Sequence, residues 1–279
     1  MQTISLFIRH YLLAVQFFTR ISVTGRLAAW VGYSPQMLRA SAAHFPGVGV
    51  LVGGLVAVLT AVLMVFLPQN SPLSPLVAAV LGTVFSVMLT GAFHEDGLAD
   101  IADGLGGTTD GIENRERALE IMKDSRVGAF GAIAVVLVLL AKVSLLALIG
   151  DVNPEAMVVG IFAAHVASRT FALLLIRLLP HVGDVAGSKS KPLADQISAY
   201  SLSIAFLWLI MGLFICVADV FIAYDAINLV VSMVAASIAF LYMWRLFAKR
   251  LQGFTGDCLG ATQQVCEVAF YLGLAISLS

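Results

Sequence analysis

Asp96, Asp100 and Asp103 are the residues most able to do chemistry in this chain. They lie within His94–Gly107, HEDGLADIADGLGG, which also carries Glu95. Four carboxylates thus fall within nine residues of a chain that is 60% hydrophobic and only 12% charged. In a helix, positions i, i+4 and i+7 share one face. At ~6 Å and an effective dielectric near 20, each close pair costs on the order of 2–3 kcal/mol before screening. A cation relieves that cost, and oxygen ligands without Cys or His suit Mg2+, Mn2+ or Ca2+. The plainer alternative is a solvated acidic helix end. The long uncharged segment just before the cluster and the glycines within it favour a metal site on Asp96, Asp100 and Asp103.

The elements that position this cluster are set by hydrophobicity. A chain of 279 residues with mean hydropathy +0.97 belongs with multi-spanning membrane proteins. Net charge −1 and the lack of a basic stripe exclude a nucleic-acid partner. Cys216, Cys258 and Cys266 have no CxxC spacing and read as packing residues. No short apolar core with a cleavage site marks a removed signal peptide at the N-terminus. The expected fold is an all-α integral membrane protein, residues 1–279 forming one multi-spanning domain. About seven transmembrane helices are predicted, at 47–67, 73–93, 129–149, 156–179, 199–218, 226–244 and 258–278, each near the ~20 residues a bilayer demands. Residues 4–21 read as an N-terminal amphipathic helix, at the interface or packed on the bundle, because Arg9 disfavours spanning. Gly47, Gly49, Gly53 and Gly54 are expected to allow close helix packing.

Lys and Arg set the orientation. They occur before span one, between spans two and three, four and five, and six and seven, whereas loops 68–72, 150–155 and 219–225 hold none. That alternation predicts a cytoplasmic N-terminus, a cytoplasmic active-site face bearing the acid cluster, and an outside C-terminus. With the polar residues gathered on one side and no internal repeat, one-sided chemistry is favoured over transport.

Further candidates lie near that face or deep in the spans. Lys123 and Arg126 stand before Gly128 at the start of span three, where cations and helix N–H groups could hold phosphate oxygens; the alternative is a plain positive-inside signal. Lys142 and Arg169 lie deep and are candidates to bind substrate phosphate or corrinoid, with Glu267 as a counter-ion in the alternative reading. His165, one turn before Arg169, reads as a packing residue. Asp257, beside Gly256 at the mouth of span seven, either caps that helix or completes the metal site. The loop Asp184–Pro192 reads as a solvated basic linker. A carboxylate metal cluster with nearby cations suggests transfer chemistry on a diphosphate. Asp100-Ile-Ala-Asp103 supplies only one of the two DxxD motifs of prenyltransferases. Gly107-Thr108 stands where CDP-alcohol phosphotransferases carry Ala-Arg.

The run from His94 to Leu105, HEDGLADIADGL, instead resembles the signature of the cobalamin synthase (adenosylcobinamide-GDP ribazoletransferase) family, as does Met122–Gly128, MKDSRVG. Agreement extends to Phe18–Ile21, Phe45–Gly49, Ser168-Arg169, Thr255–Asp257 and Leu259–Ala261, across nearly the whole chain. Val23 departs from a nearby Pro, and Glu95 from a position often apolar. The resemblance implies a multi-pass enzyme of the bacterial cytoplasmic (inner) membrane. It would join adenosylcobinamide-GDP to α-ribazole or its 5′-phosphate, releasing GMP and forming adenosylcobalamin or its phosphate. The expected cofactor is Mg2+ on Asp96, Asp100, Asp103 and Asp257. Lys123 and Arg126 would hold phosphate, and His94 or an aspartate would act as base. The lipid bilayer is a partner, and a homo-oligomer or association with other cobamide-assembly enzymes is compatible with this reading. The rival is a cation transporter using the same carboxylates.

Overall fold

The computed structural model describes residues 2–108, 111–124, 126–183, 197–218 and 226–278. It is helical apart from an isolated bridge between His181 and Phe254. Among the described residues six helices are long and apolar enough to cross a membrane, or up to seven if a bent helix pair is counted as one span.

The amphipathic segment becomes α1, Gln2–Phe18, and it packs on the bundle: Tyr11 Oη donates to the Gly47 carbonyl at 3.3 Å. Arg9, the residue that disfavours spanning, ties down α2 (Gly25–Val31) by donating from Nε to the Val31 carbonyl at 2.9 Å. Neither α2 nor α3 (Pro35–Ser41, capped by Ser34) is marked by a hydrophobic period long enough to predict. The first span is α4, Phe45–Phe66.

Helix α5, Ser74–Thr90, ends early, and α6, Phe93–Gly106, leaves it at 89°. The expected span 73–93 therefore stops three residues short at a corner. Gly91 (φ 70°) and Ala92 (φ 59°) are both left-handed there. Ala92 N–H bonds the Val87 carbonyl at 2.9 Å and Gly91 N–H that of Met88 at 3.3 Å, the paired closure of a Schellman motif. A left-handed Ala costs roughly 1–2 kcal/mol, so the surroundings must hold this corner in place. Arg20 does so, its N–H bonding the Leu89 carbonyl at 2.7 Å while its guanidinium lies where a side chain on Gly91 would stand.

Helix α7 (Ile112–Ile121) precedes α8 (Ala129–Val152) and α9 (Pro154–Leu178). Asn153 caps α9, accepting from Ala156 N–H at 2.9 Å, with Pro154 at its first position. Helix α9 is the buried centre of the bundle. Gly49 and Gly53 let α4 lie against the backbone of His165 and Phe162, whereas Gly47 faces the Trp208 ring and Gly54 meets open space. The expected role of the four glycines in close packing thus holds for Gly47, Gly49 and Gly53 and not for Gly54. Helices α10 (Ala199–Ala218), α11 (Ala226–Arg250) and α12 (Gly256–Ser277) complete the bundle. The linker expected at 184–192 lies outside the described residues.

Candidate active site

Helix α6 is divided along its length. His94, Glu95, Leu98, Ile101 and Leu105 are buried, while Asp96 is exposed and Asp100 and Asp103 are half-buried. Burial first, and then the charges of Asp257, Asp96 and Asp103, push the Asp100 carboxyl up from 3.8 to about 7. This is the repulsion that the i, i+4, i+7 spacing anticipates.

Asp257 reaches the same place because two glycines let α12 cross α6 closely. A Cβ on Gly97 would stand 2.8 Å from the Asp257 carbonyl oxygen, and one on Gly260 3.1 Å from that of His94. Thr255 is the N-cap of α12, so Asp257 sits in the first turn, where the helix dipole favours negative charge. Its Oδ2 accepts from Thr255 Oγ1 at 3.2 Å.

Asp103 is spent differently. Its Oδ2 accepts from Gly128 N–H at 2.7 Å and its Oδ1 from Gly131 N–H at 2.8 Å, so it holds the start of α8. A Cβ on Gly128 would stand 2.5 Å from Oδ1, and one on Gly131 would collide with Oδ2. Two of the N–H groups that the start of α8 offers to a phosphate are occupied here by an aspartate of the acid cluster itself.

The donor set suits a hard cation: exposed or half-buried carboxylates on Asp96, Asp100 and Asp257, one with its proton affinity raised by the others. Among the described residues no three His, Cys, Asp or Glu side chains form a closed metal group. Mg2+ commonly takes one or two carboxylates with water and substrate phosphate, an arrangement that an open acid face fits better than a cage would.

The basic cluster adjoins this face. Arg126 forks onto Asp124, from Nε to both carboxylate oxygens at 3.0 Å and from Nη2 to Oδ2 at 2.6 Å, which holds the exposed Asp124 carboxyl below its ordinary range. Arg126, Asp124, Arg117, Gly128 and Asp103 wall an open cleft of about 540 Å³. Lys123 is exposed next to it. Ser125, between the two cations, lies outside the described residues.

Lys142 and Arg169 are not brought to the acid face. Lys142 Nζ pairs with Glu267 Oε1 at 2.7 Å, and both side chains are buried. Arg169 is 1% exposed, and its Nη1 reaches His165 Nδ1 at 2.8 Å and the His165 carbonyl at 3.0 Å. The structure therefore shows the counter-ion arrangement given as the alternative for Lys142, and an interior Arg169. His94 also faces inward, 1% exposed and stacked on Phe45 with ring centres 5.8 Å apart.

Several residues that shape the site had no motif to announce them. Arg250 Nη2 donates to the carbonyls of Thr108 at 2.7 Å and Leu105 at 3.2 Å, closing the end of α6. Arg115 Nε binds the Leu251 carbonyl at 2.7 Å. Gln264 Nε2 donates to Glu95 Oε1 at 3.0 Å, tying α6 to α12. Two adjacent glutamines inside an apolar span are a visible signal, because such residues seldom lie there without partners.

A family model for cobalamin-5-phosphate synthase matches residues 10–275. The chain belongs to the cobalamin-5-phosphate synthase family. That match takes in α6, the Met122–Gly128 segment and Asp257, so every element of the site lies within the family's span. Curated relatives agree over the same length. A protein of Albidiferax ferrireducens named adenosylcobinamide-GDP ribazoletransferase is 64% identical, covering 98% of this chain and all of that one. One of the same name from Vibrio cholerae is 40% identical over 94% of this chain and 91% of its own. Another from Leptospira interrogans is 37% identical over 88% of each. No solved structure matches the chain.

Proposed function

We infer that the chain transfers the adenosylcobinamide phosphate moiety of adenosylcobinamide-GDP to α-ribazole or its 5′-phosphate, releasing GMP and forming adenosylcobalamin or its 5′-phosphate. The observation that carries this reading beyond family membership is the acid face of α6, joined by Asp257 and bordered by a cleft walled by Arg117 and Arg126. A ribazole hydroxyl oxygen bonds to the corrinoid-side phosphorus, the bond from that phosphorus to the GMP oxygen breaks, and the hydroxyl proton is lost.

Asp96, Asp100 and Asp257 would hold Mg2+, which when bound supplies charge neutralisation at the diphosphate and at the departing GMP. Lys123, Arg117 and Arg126 steady phosphate oxygens that do not react, and their contribution grows as charge shifts onto the leaving group. Asp103 fixes the start of α8, and with it the wall of the cleft, against α6. The hydroxyl proton passes to a carboxylate of the acid face. His94, on the buried side of α6, is not placed to take it.

The alternation of Lys- and Arg-rich loops supports an inner-membrane protein with its N-terminus and acid face in the cytoplasm. Nothing in the comparisons or the geometry supports the cation-transport reading. The test is GMP release by lipid-reconstituted protein supplied with adenosylcobinamide-GDP, α-ribazole and Mg2+. Release that needs all three and is lost in Asp100→Ala is expected. Release in the variant at the wild-type rate would sink the assignment of the acid face.

A further inference from the structure

Four buried threonines, Thr19, Thr90, Thr170 and Thr262, donate their hydroxyls to the carbonyl four residues earlier, at 2.7 to 3.0 Å. Thr60 of α4 and Thr83 of α5 do not. Both are buried in their helices, and neither hydroxyl has a hydrogen-bond partner among the described residues. An orphaned hydroxyl inside an apolar bundle is costly unless something meets it. The two helices pass closely here, since a Cβ on Gly82 would stand 2.9 Å from Thr60 Oγ1. Gly82 and Thr83 line a cavity of about 10 Å³ together with Lys142, Leu146, His165 and Tyr271. Lys142 brings spare donors of its own. Its ammonium carries three N–H bonds, and among the described residues its ion pair takes a single Glu267 oxygen at 2.7 Å.

We propose that this cavity is the binding site of a single water molecule, which accepts from the Lys142 ammonium and bonds the hydroxyls of Thr83 and Thr60. Size, polarity and charge select this occupant. A water fits a cavity of roughly 10 Å³ when two to four polar partners surround it. Lys142 and Thr83 in the wall supply two, and Thr60, reached across the missing side chain of Gly82, supplies a third. A cation there would meet the Lys142 ammonium, and a chloride ion, wider than a water, would lie beside the Glu267 carboxylate. The water joins helices that the ion pair alone does not. Glu267 ties Lys142 of α8 to α12, and the water carries that tie on to α4 and α5. Helix α5 ends in the corner from which α6 departs, so the helix bearing Asp96 and Asp100 hangs from an element anchored on the buried pair.

The test is X-ray hydroxyl-radical footprinting of the full chain in lipid, which oxidises buried side chains where a bound water stands beside them. Leu146 and Tyr271, both buried in the cavity wall, are expected to be labelled in the wild type. Thr83→Val keeps the shape and removes the hydroxyl. It is expected to cut that labelling about threefold and to lower the thermal unfolding midpoint by about 2–4 °C. Thr83→Ser, which returns a hydroxyl, is expected to keep both near wild type. Thr60→Val, with the same expected losses, stands as the second variant if Thr83→Val does not accumulate. Leu146 and Tyr271 unlabelled in the wild type, or labelled equally in the valine variants, would overturn the assignment. A midpoint that rises with chloride concentration in the wild type and not in Thr83→Val would give the cavity to an anion and overturn it as well.

Discussion

Glu267 and Asp100 are both carboxylates in apolar surroundings, and the chain treats them in opposite ways. Glu267, fully buried in α12, accepts from Lys142 Nζ at 2.7 Å, Tyr271 Oη at 2.9 Å and Gln263 Nε2 at 2.5 Å. His165 Nε2 stands 3.8 Å away and leads on to Arg169. This cluster joins α8, α9 and α12 and brings both signs of charge together. Asp100 faces only like charges from Asp96, Asp103 and Asp257, and no cation is paired with it among the described residues. A charge matched inside the protein holds helices together. Charge of one sign left open at the end of the bundle is what the proposed Mg2+ site would draw on.

Substitutions that exchange these two fates would test the contrast. The largest effect is expected from Asp100→Ala, which should lower GMP release by a thousandfold or more while the protein stays folded in the membrane. A thermal unfolding midpoint near wild type in the same sample checks the second half.

Glu267→Gln should do the reverse. Removing one partner of a buried pair costs about 3–5 kcal/mol, read as a lower unfolding midpoint in detergent. Adding Lys142→Met should restore at least half of it, because the stranded charge is gone. A double variant no more stable than the single one would show that the pair itself is not what the bundle depends on.

A smaller change is expected from Asp103→Asn, which keeps one acceptor for the start of α8 but loses the charge. The cost should be about 0.5–2 kcal/mol, with turnover retained at least tenfold above that of Asp100→Ala. Equal loss of turnover in the two variants would return Asp103 to direct chemistry.

The smallest effect is the pH dependence of stability without metal. The folded chain holds the Asp100 proton at about 7, against 3.8 ordinarily, so it binds that proton more tightly than the unfolded chain does. Stability from this group is present at acid pH and drains away as pH rises from about 4 through 7. Asp100→Asn should flatten that decline. Mg2+ should raise the midpoint more at pH 8 than at pH 5.5, since its ligands must be deprotonated. Equal Mg2+ shifts at both pH values would count against the carboxylate site.

Much of this arrangement was legible from residue order, for identifiable reasons. The helical period alone puts Asp96, Asp100 and Asp103 on one face, and uncharged runs near twenty residues long mark the spans. Two charges of opposite sign deep in different spans suggest the Lys142–Glu267 pair. The period also bears on His94: two residues before Asp96, it stands about 200° around the helix from it, on the face that proves buried. Asp103 could not be read the same way, because its partners at Gly128 and Gly131 are far along the chain and come beneath it only once α8 is docked. The corner at Gly91-Ala92 was hidden for a different reason. Glycine is common in membrane helices, and no property of alanine signals a left-handed backbone.

That corner makes the length of α5 an angular setting. Each residue of a helix turns it by about 100° and lifts it 1.5 Å, and α6 departs at 89° from the last turn of α5. One residue added between Ser74 and Thr90 would swing the heading of α6 by roughly a quarter-circle and carry its aspartates away from Asp257. Seven added residues bring the heading back to within about 20° but shift α6 by about 10 Å along the bundle axis. The number of residues in one apolar helix thus sets both the direction in which the carboxylates point and the depth at which they lie along the bundle.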